Sequence, residues 1–433
     1  MNELVDGVCA TRKKMVKIQT ICIWICYACC AMSGLVPQMT LSLITIFCVV
    51  IICCYGDPVA VWPIMIFYYS VFGTVLGISV YRIFSLLFLM VHCYKKQRLR
   101  IEYRVLPPLL VYIYYLVAVV FGHSVRTMLF SFVDIICSVL LVCDYLSNEN
   151  ELKAFFSSYV VVAFLSFITG LVSGNEMTVM QDYSGRILTI SRFTATFEDP
   201  NYLGFFYTIA IFAIVSLKMY RPVLRAIVII GLYGIILASM SMTAIIGNIL
   251  LWMLFLLIRG KINIKILGTV FLAVLAVIWV YNYGLAHPDL KLIGDMSLRV
   301  QDKLNSLFIK DFDAFSTGRT YLSEVHLDIF KNSLIIQQLI GGRAVNSYYI
   351  DVGQNANFSA HNEYIDMLLN VGIIGWIIMY GYIIISIIRK IHAFRSNGDN
   401  FSLCGIMMNL AWLYYVATLT VFLDFRYLFA YFI

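Results

Sequence analysis

Charge is what this sequence has least of. Asp, Glu, Lys and Arg make up 13% of its 433 residues, about half the share carried by soluble domains. A soluble particle of this size could not cover its surface with so few charges. That excludes a soluble enzyme, a disordered chain and a nucleic-acid-binding protein. Strict apolar–polar alternation is also missing, which excludes an outer-membrane β-barrel. There are no heptads, short tandem repeats or low-complexity tracts. A Walker loop, a dinucleotide-binding fingerprint and an HExxH pair are likewise absent, so the chemistry is expected to require no nucleotide. The 12 cysteines lie almost entirely in apolar runs, where Cys packs as a small hydrophobe. Cys26, Cys29 and Cys30 form a CxxCC pattern without a neighbouring His or carboxylate. The two longest polar loops contain no Cys, so no disulfide framework is expected.

What the chain has in abundance is apolar residues, 61% of the total. A membrane-spanning helix needs about 20 of them in succession. Spans are expected near 18–36, 39–56, 106–122, 127–145, 153–172, 201–217, 224–240, 243–258, 266–285, 364–388 and 402–423. Residues 59–93 are apolar too, but contain Pro63, Gly73, Gly77 and Arg82, and fit one long helix or a tight pair. The fold class is therefore an all-α polytopic membrane protein with about 12–13 transmembrane helices. Lys and Arg set its orientation. One set of loops, from Arg12–Lys17 to Arg389–Arg395, holds 19 of the 31 basic residues and should be cytoplasmic. The net charge of +7 is then a topology signal. Parity between residues 14 and 96 favours two short helices in 59–93.

The expected organisation is N-terminal helices over 1–172, a first outer loop over 173–200 and central helices over 201–285. A long outer loop over 286–362 and C-terminal helices over 363–433 follow. The long loop carries seven basic and eight acidic residues and is too long for a plain connector. In it Tyr321, Leu322, Val325, Ile329 and Phe330 share one helical face, with Glu324 and Asp328 opposite. This predicts an amphipathic helix, with a solvated lid as the alternative.

Candidate site residues are polar groups that burial does not require. Asp199 before Pro200 reads as a helix start, a capping side chain followed by proline at the first helical position. Arg192 stands shortly before it, and an Arg beside a helix N-terminus makes an anion site. Thr317-Gly318-Arg319 again sets an Arg at a helix start. Ser359-Ala360-His361-Asn362-Glu363-Tyr364 runs into the next span and puts His361 at its mouth. A neutral imidazole there can take a proton from a hydroxyl; the plainer alternative is an interfacial hydrogen-bonding histidine. Arg343, in Gly341-Gly342-Arg343, is a further candidate anion contact. Asp311-Phe312-Asp313 has the DxD form of some metal and nucleotide-sugar sites but falls in an outer loop. His287 and His326 lack partners at zinc spacing. Arg82 and Asp134 lie within apolar spans and suggest a polar path or an internal pair.

Taken in order, these segments resemble a known family. Arg192 through Asn201, ahead of an apolar span, is similar to the "R…G-x-F-x-(D/N)-P-N" segment of the O-antigen polymerase and O-antigen ligase superfamily. Thr317-Gly318-Arg319, Gly341-Gly342, and His361-Asn362-Glu363-Tyr364 followed by Val371-Gly372-Ile373-Ile374-Gly375 resemble its second block. Ser241-Met242-Thr243 stands where many members have S-R and a small residue; the Arg is absent, and nothing is carried over from it. The resemblance covers about 190–385.

It implies a metal-independent membrane glycosyltransferase with a GT-C-like bundle and no cofactor, at the outer face of a bacterial plasma membrane. The donor would be a polyprenyl-diphosphate-linked oligosaccharide. By matching position His361 would be the general base. Arg192 and Arg319 would bind the diphosphate, and Arg343, Asn201 and Asn362 would join them in binding substrate. Besides the lipid bilayer, a chain-length regulator and a flippase would be partners, and nucleic acid would not. A polymerase of repeat units is the expected activity. The alternatives are a ligase that passes the glycan to lipid A core or protein, and a transporter of lipid-linked sugars.

Overall fold

The computed structural model describes residues 2–33, 35, 38–55, 58–70, 74–75, 78–97, 101–117, 125–183, 186–260, 278–311, 319–342 and 360–433. The fold is that of an all-α membrane protein. Among the described residues four helices are long and apolar enough to cross a bilayer, Val125–Tyr145, Glu149–Ser173, Met242–Arg259 and Glu363–Asn397, and several shorter apolar helices pack among them.

Helices α1 (Asn2–Met32) and α2 (Gln38–Tyr55) form a first antiparallel pair. Residues 59–93 fold as two helices. A 3-10 turn, Pro58–Val61, leads into α3 (Trp62–Ser70), and a small hairpin of β1 (Thr74–Val75) and β2 (Ile78–Ser79) joins it to α4 (Val80–Lys96). Next come α5 (Leu106–Tyr115), α6 (Val125–Leu140), which continues as a π-helical turn over Leu141–Tyr145, and α7 (Glu149–Ser173). Tyr27 on α1 meets Ser158 on α7 at 2.6 Å. Asp134 on α6 accepts from Ser85 at 2.9 Å, whereas Arg82 lies over the Phe130 ring and donates to Tyr81.

The first loop expected between spans is not helical. It holds an antiparallel hairpin, β3 (Glu176–Tyr183) with β4 (Arg186–Phe193). Tyr183 pairs with Arg186, which leaves Ser184 and Gly185 between the strands in sequence. This hairpin is a local addition to an otherwise helical bundle, in a loop whose secondary structure the reading for spans and charges does not address.

Helices α8 (Pro200–Ser216), α9 (Pro222–Ala238) and α10 (Met242–Arg259) follow. The expected span at 266–285 falls mostly outside the described residues. The described residues of the long loop hold three helices, α11 (Lys291–Phe308), α12 (Arg319–Lys331) and α13 (Ile335–Ile340). The predicted amphipathic helix is α12, but Tyr321 is exposed and the buried residue at its centre is His326.

Then come α14 (Glu363–Asn397), α15 (Asn400–Val416) and the short α16 (Leu428–Phe432). The apolar run at 402–423 does not form one helix. It stops at Val416, and residues 428–433 fold back, buried, into the bundle. Asn409 secures this return by donating to the carbonyls of Ala430 and Tyr431 at 2.9 and 3.1 Å.

Two ends of the bundle are thereby defined. At one end Glu149 accepts from Asn400 at 3.4 Å, joining the starts of α7 and α15. The helix directions put Lys153, Arg221, Arg259 and Arg389 near the same level. This is the basic end. The opposite end carries the β3–β4 hairpin, the 239–241 turn, the start of α14 and residues 417–427. It is called the hairpin end below.

Candidate functional site

The hairpin end is organised around the start of α8. Asp199 adopts extended angles and its side chain accepts from the Asn201 amide at 2.6 Å, with Pro200 at the first helical position. This is the cap that the sequence predicts. Asn201 also accepts from the Ser241 hydroxyl at 2.6 Å, which ties α8 to the turn between α9 and α10. In that turn Met240 has φ 49°, a left-handed conformation that costs a residue with a Cβ about 1–2 kcal/mol.

Two arginines close on this turn from different elements. Arg192, at the end of β4, donates from Nε to the Ser239 carbonyl at 3.3 Å. Arg299, on α11, donates from Nη1 to the next carbonyl, that of Met240, at 2.9 Å. Both side chains are buried. One helical turn beyond Arg299 is Lys303, also buried. Its ammonium is pushed down to about 8, first by burial and then by the charges of Arg299 and Arg319, against Asp302. Arg319 opens α12. Burial lowers its pKa, while Asp199 and Tyr202 oppose that shift; an Arg so placed still keeps its charge at any physiological pH. Four cations from three separate segments are thus gathered about one helix start.

His361 stands at the entrance to α14. Its φ of 48° is left-handed, where histidine is found more often than most residues. Asp366, a little over one turn into the helix, accepts from the Ala360 amide at 3.2 Å and so fixes the chain just before His361. The His361 pKa is lowered by burial, then by the Arg319 charge, with Asp199 acting the other way and His326 adding a smaller lowering. Its ring nevertheless keeps an exposed face, so the crowding is that of a mouth and not of a core. A histidine in this state is neutral at pH 7 and can accept a proton. Beneath it His326 is fully buried, with Nδ1 2.7 Å from the Leu322 carbonyl and Nε2 without a hydrogen bond.

The backbone beneath the mouth is held by glycine. Gly341 has φ 77° and a Cβ there would lie 2.2 Å from the Asn370 carbonyl oxygen; Gly372 has φ 68° and a Cβ would lie 2.4 Å from the Leu339 carbonyl. The Gly342 amide donates to Asn370 at 3.1 Å. Helix α14 kinks at Gly372, and α13 seats in that kink. Gly341 and Gly372 thus permit the close approach of two backbones.

Of the residues singled out from sequence, Arg319 and His361 are brought together, and Asp199 stands near both. Arg192 and Asn201 meet the 239–241 turn. Asn362 is the cap of α14, its side chain accepting from the Tyr364 amide at 3.1 Å. A structural role therefore suffices for Asn362, as it does for Asp199. Arg343 lies outside the described residues, as do Thr317, Gly318, Phe312 and Asp313. Among the described residues, no group of three or more His, Cys, Asp or Glu could hold a metal ion.

Sequence reasoning missed Arg299 and Lys303, and set His326 aside for want of a partner at zinc spacing. Arg299 and Lys303 share a helical face at a spacing of four, a signal that was present but hidden in a loop of balanced charge. It also missed Arg426, which is 1% exposed and pairs with Asp424 at 2.6 Å and Glu198 at 2.7 Å. The rings of Tyr69, Phe197, Tyr202 and Tyr427 surround that guanidinium within 4.8–5.5 Å.

No protein-family model, curated protein or solved structure matches the chain. The chemistry of the site therefore rests on its own residues. A cluster of guanidinium and ammonium groups suits phosphate oxygens. A neutral imidazole beside it can deprotonate a hydroxyl that attacks a centre near that phosphate.

Proposed function

We propose that this chain is a membrane glycosyltransferase that polymerises polyprenyl-diphosphate-linked oligosaccharide repeats into a surface polysaccharide. It would do so at the outer face of a bacterial plasma membrane, with the hairpin end outward and the basic end in the cytoplasm. A GT-C-like bundle of 12–13 spans belongs to the same reading. The observation that carries it is the placing of His361 at the mouth of α14 with Arg319 close enough to lower its pKa, in a mouth that also gathers Arg192, Arg299 and Lys303.

In the proposed reaction the acceptor sugar hydroxyl loses its proton to His361. Its oxygen bonds to the anomeric carbon of the donor sugar, and the bond from that carbon to the diphosphate breaks. The electron pair leaves with the polyprenyl diphosphate, whose growing charge Arg319 and Arg192 would take up. Charges fixed in advance where charge develops are the strongest lever available to such a site. The two arginines differ from a metal ion in that their guanidinium forks orient the diphosphate while they neutralise it.

The test is a length ladder of the surface polysaccharide from a host lacking this gene, complemented with wild type, His361→Ala or Arg319→Ala at matched protein level. Collapse to single repeat units supports the proposal. Long chains that remain on their lipid carrier identify a ligase instead. Normal ladders in both variants, with export lost in Arg82→Ala, identify a transporter.

A further inference from the structure

At the basic end a groove of about 490 Å³ opens along α14 beside the start of α5. Two neighbouring ridges of α14 line it. One runs through Ile377, Gly381 and Ile385 to Arg389, and the other through Ile378, Tyr382 and Ser386 to Lys390. Each ridge repeats every four residues, the stacking distance on a helix face. The first passes from apolar directly to cationic, and the second from apolar through polar to cationic, toward the basic end. Across the groove Arg104 completes a group of three basic residues, with Glu102 as the acidic neighbour that pairs with it.

The polar head of the groove is built. The Lys390 ammonium donates to Ser386 at 2.6 Å and to Asn409 at 2.8 Å, and its stem passes over Gly405. The Arg389 side chain is exposed. The apolar stretch faces outward, since Ile377 and Ile385 are about half exposed at 57% and 50% on a helix long enough to cross a membrane. A Cβ added at Gly381 would meet nothing within 4 Å, so the groove is open at that point.

We propose that this groove binds an anionic phospholipid. Its phosphate would sit among Arg104, Arg389 and Lys390, and one acyl chain would lie along Ile377, Gly381 and Ile385. The charge complementarity selects the occupant. Arg389, Lys390 when protonated, and Arg104, which Glu102 offsets in part, give the head of a lipid-facing apolar slot a net positive charge, and basic pockets between membrane helices hold anionic headgroups elsewhere. The site lies at the opposite end of α14 from His361 and does not depend on the reaction proposed above.

The experiment is native mass spectrometry of the purified, delipidated protein with added phosphatidylglycerol, phosphatidylcholine or inorganic phosphate. Two variants test the two halves of the site. Arg389→Gln removes a headgroup contact from an exposed position, and Gly381→Leu fills the apolar slot with a good helix former. The wild type should retain phosphatidylglycerol in preference to phosphatidylcholine, and each variant should lose about fivefold or more of that retention, as one charge-assisted contact or one blocked slot would cause. Equal retention of the two lipids, or unchanged retention in both variants, overturns the proposal. Displacement of the lipid by a tenfold excess of inorganic phosphate also overturns it, because the groove would then read only a phosphate.

Discussion

Two sets of arginines stand at the hairpin end, within reach of the same helix start, and they are built in opposite ways. Arg426 is sunk in a cage of four rings and paired with Glu198 and Asp424. Its charge is cancelled where it sits. Arg192, Arg299 and Arg319 are gathered with Lys303, and two of them lean on backbone carbonyls. The charges of Arg299 and Arg319 act on Lys303 and lower its pKa, with Asp302 acting the other way. The first arrangement clamps residues 424–426 against the segment before α8. The second keeps a positive field at a mouth. Arginine content alone does not separate structure from function; what faces each guanidinium does.

Breaking the first set should have the largest effect on folding. Arg426→Met leaves Asp424 buried without its partner, and loss of one member of a buried pair costs about 3–5 kcal/mol. Thermal unfolding in detergent should show a protein that is barely folded or absent, whereas Arg319→Ala should unfold near wild type. Activity should invert that order. Arg319→Ala and His361→Ala should each lower turnover of a lipid-linked donor by about a hundredfold or more, the usual cost of an electrostatic contact or a general base, while Arg319→Lys recovers only part.

A smaller effect sharpens the contrast through pH. Because His361 is held below its ordinary value, activity should persist below pH 6.5 and fall only as pH drops through that lowered pKa. Arg319→Gln removes one of the charges responsible, so the acid limb of the residual rate should move to higher pH. The smallest effect concerns Lys303, whose pKa is near 8 against about 10.4 in an unfolded chain. Between these values the unfolded state binds the proton and the folded state does not. Stability of the ligand-free protein should therefore rise with pH across about 8 to 10.4, a slope that Lys303→Met should flatten.

The parts of this arrangement that were legible in sequence are local ones. Asp199-Pro200 and Arg319 announce helix starts from a few adjacent residues, and His361 is placed by the apolar run that follows it. Parity of the basic loops anticipated that residues 59–93 divide into α3 and α4. The rest depends on partners remote in sequence. Arg299 meets the Met240 carbonyl 59 residues away, and Arg426 meets Glu198 across 228. Neither pairing leaves a trace in periodicity. The apolar run over 402–423 reads as one span because hydropathy does not register that Asn409 holds a returning backbone. The β3–β4 hairpin is not legible because residues 176–193 show neither an apolar span nor strict alternation, only a balance of charge. His326 had no partner at metal spacing, and only the packing of α12 on α14 brings it beneath His361.

The most direct test of the contrast between the two arginine sets is the thermal shift given by inorganic pyrophosphate at pH 7. A ligand at 100 times its dissociation constant stabilises the folded state by about 2.7 kcal/mol. Wild type should show such a shift, falling at high salt. Arg319→Ala should lose most of it while unfolding, without ligand, at nearly the wild-type temperature. A shift of full size in Arg319→Ala, or none in the wild type, would contradict the account that this cluster is built to receive a diphosphate.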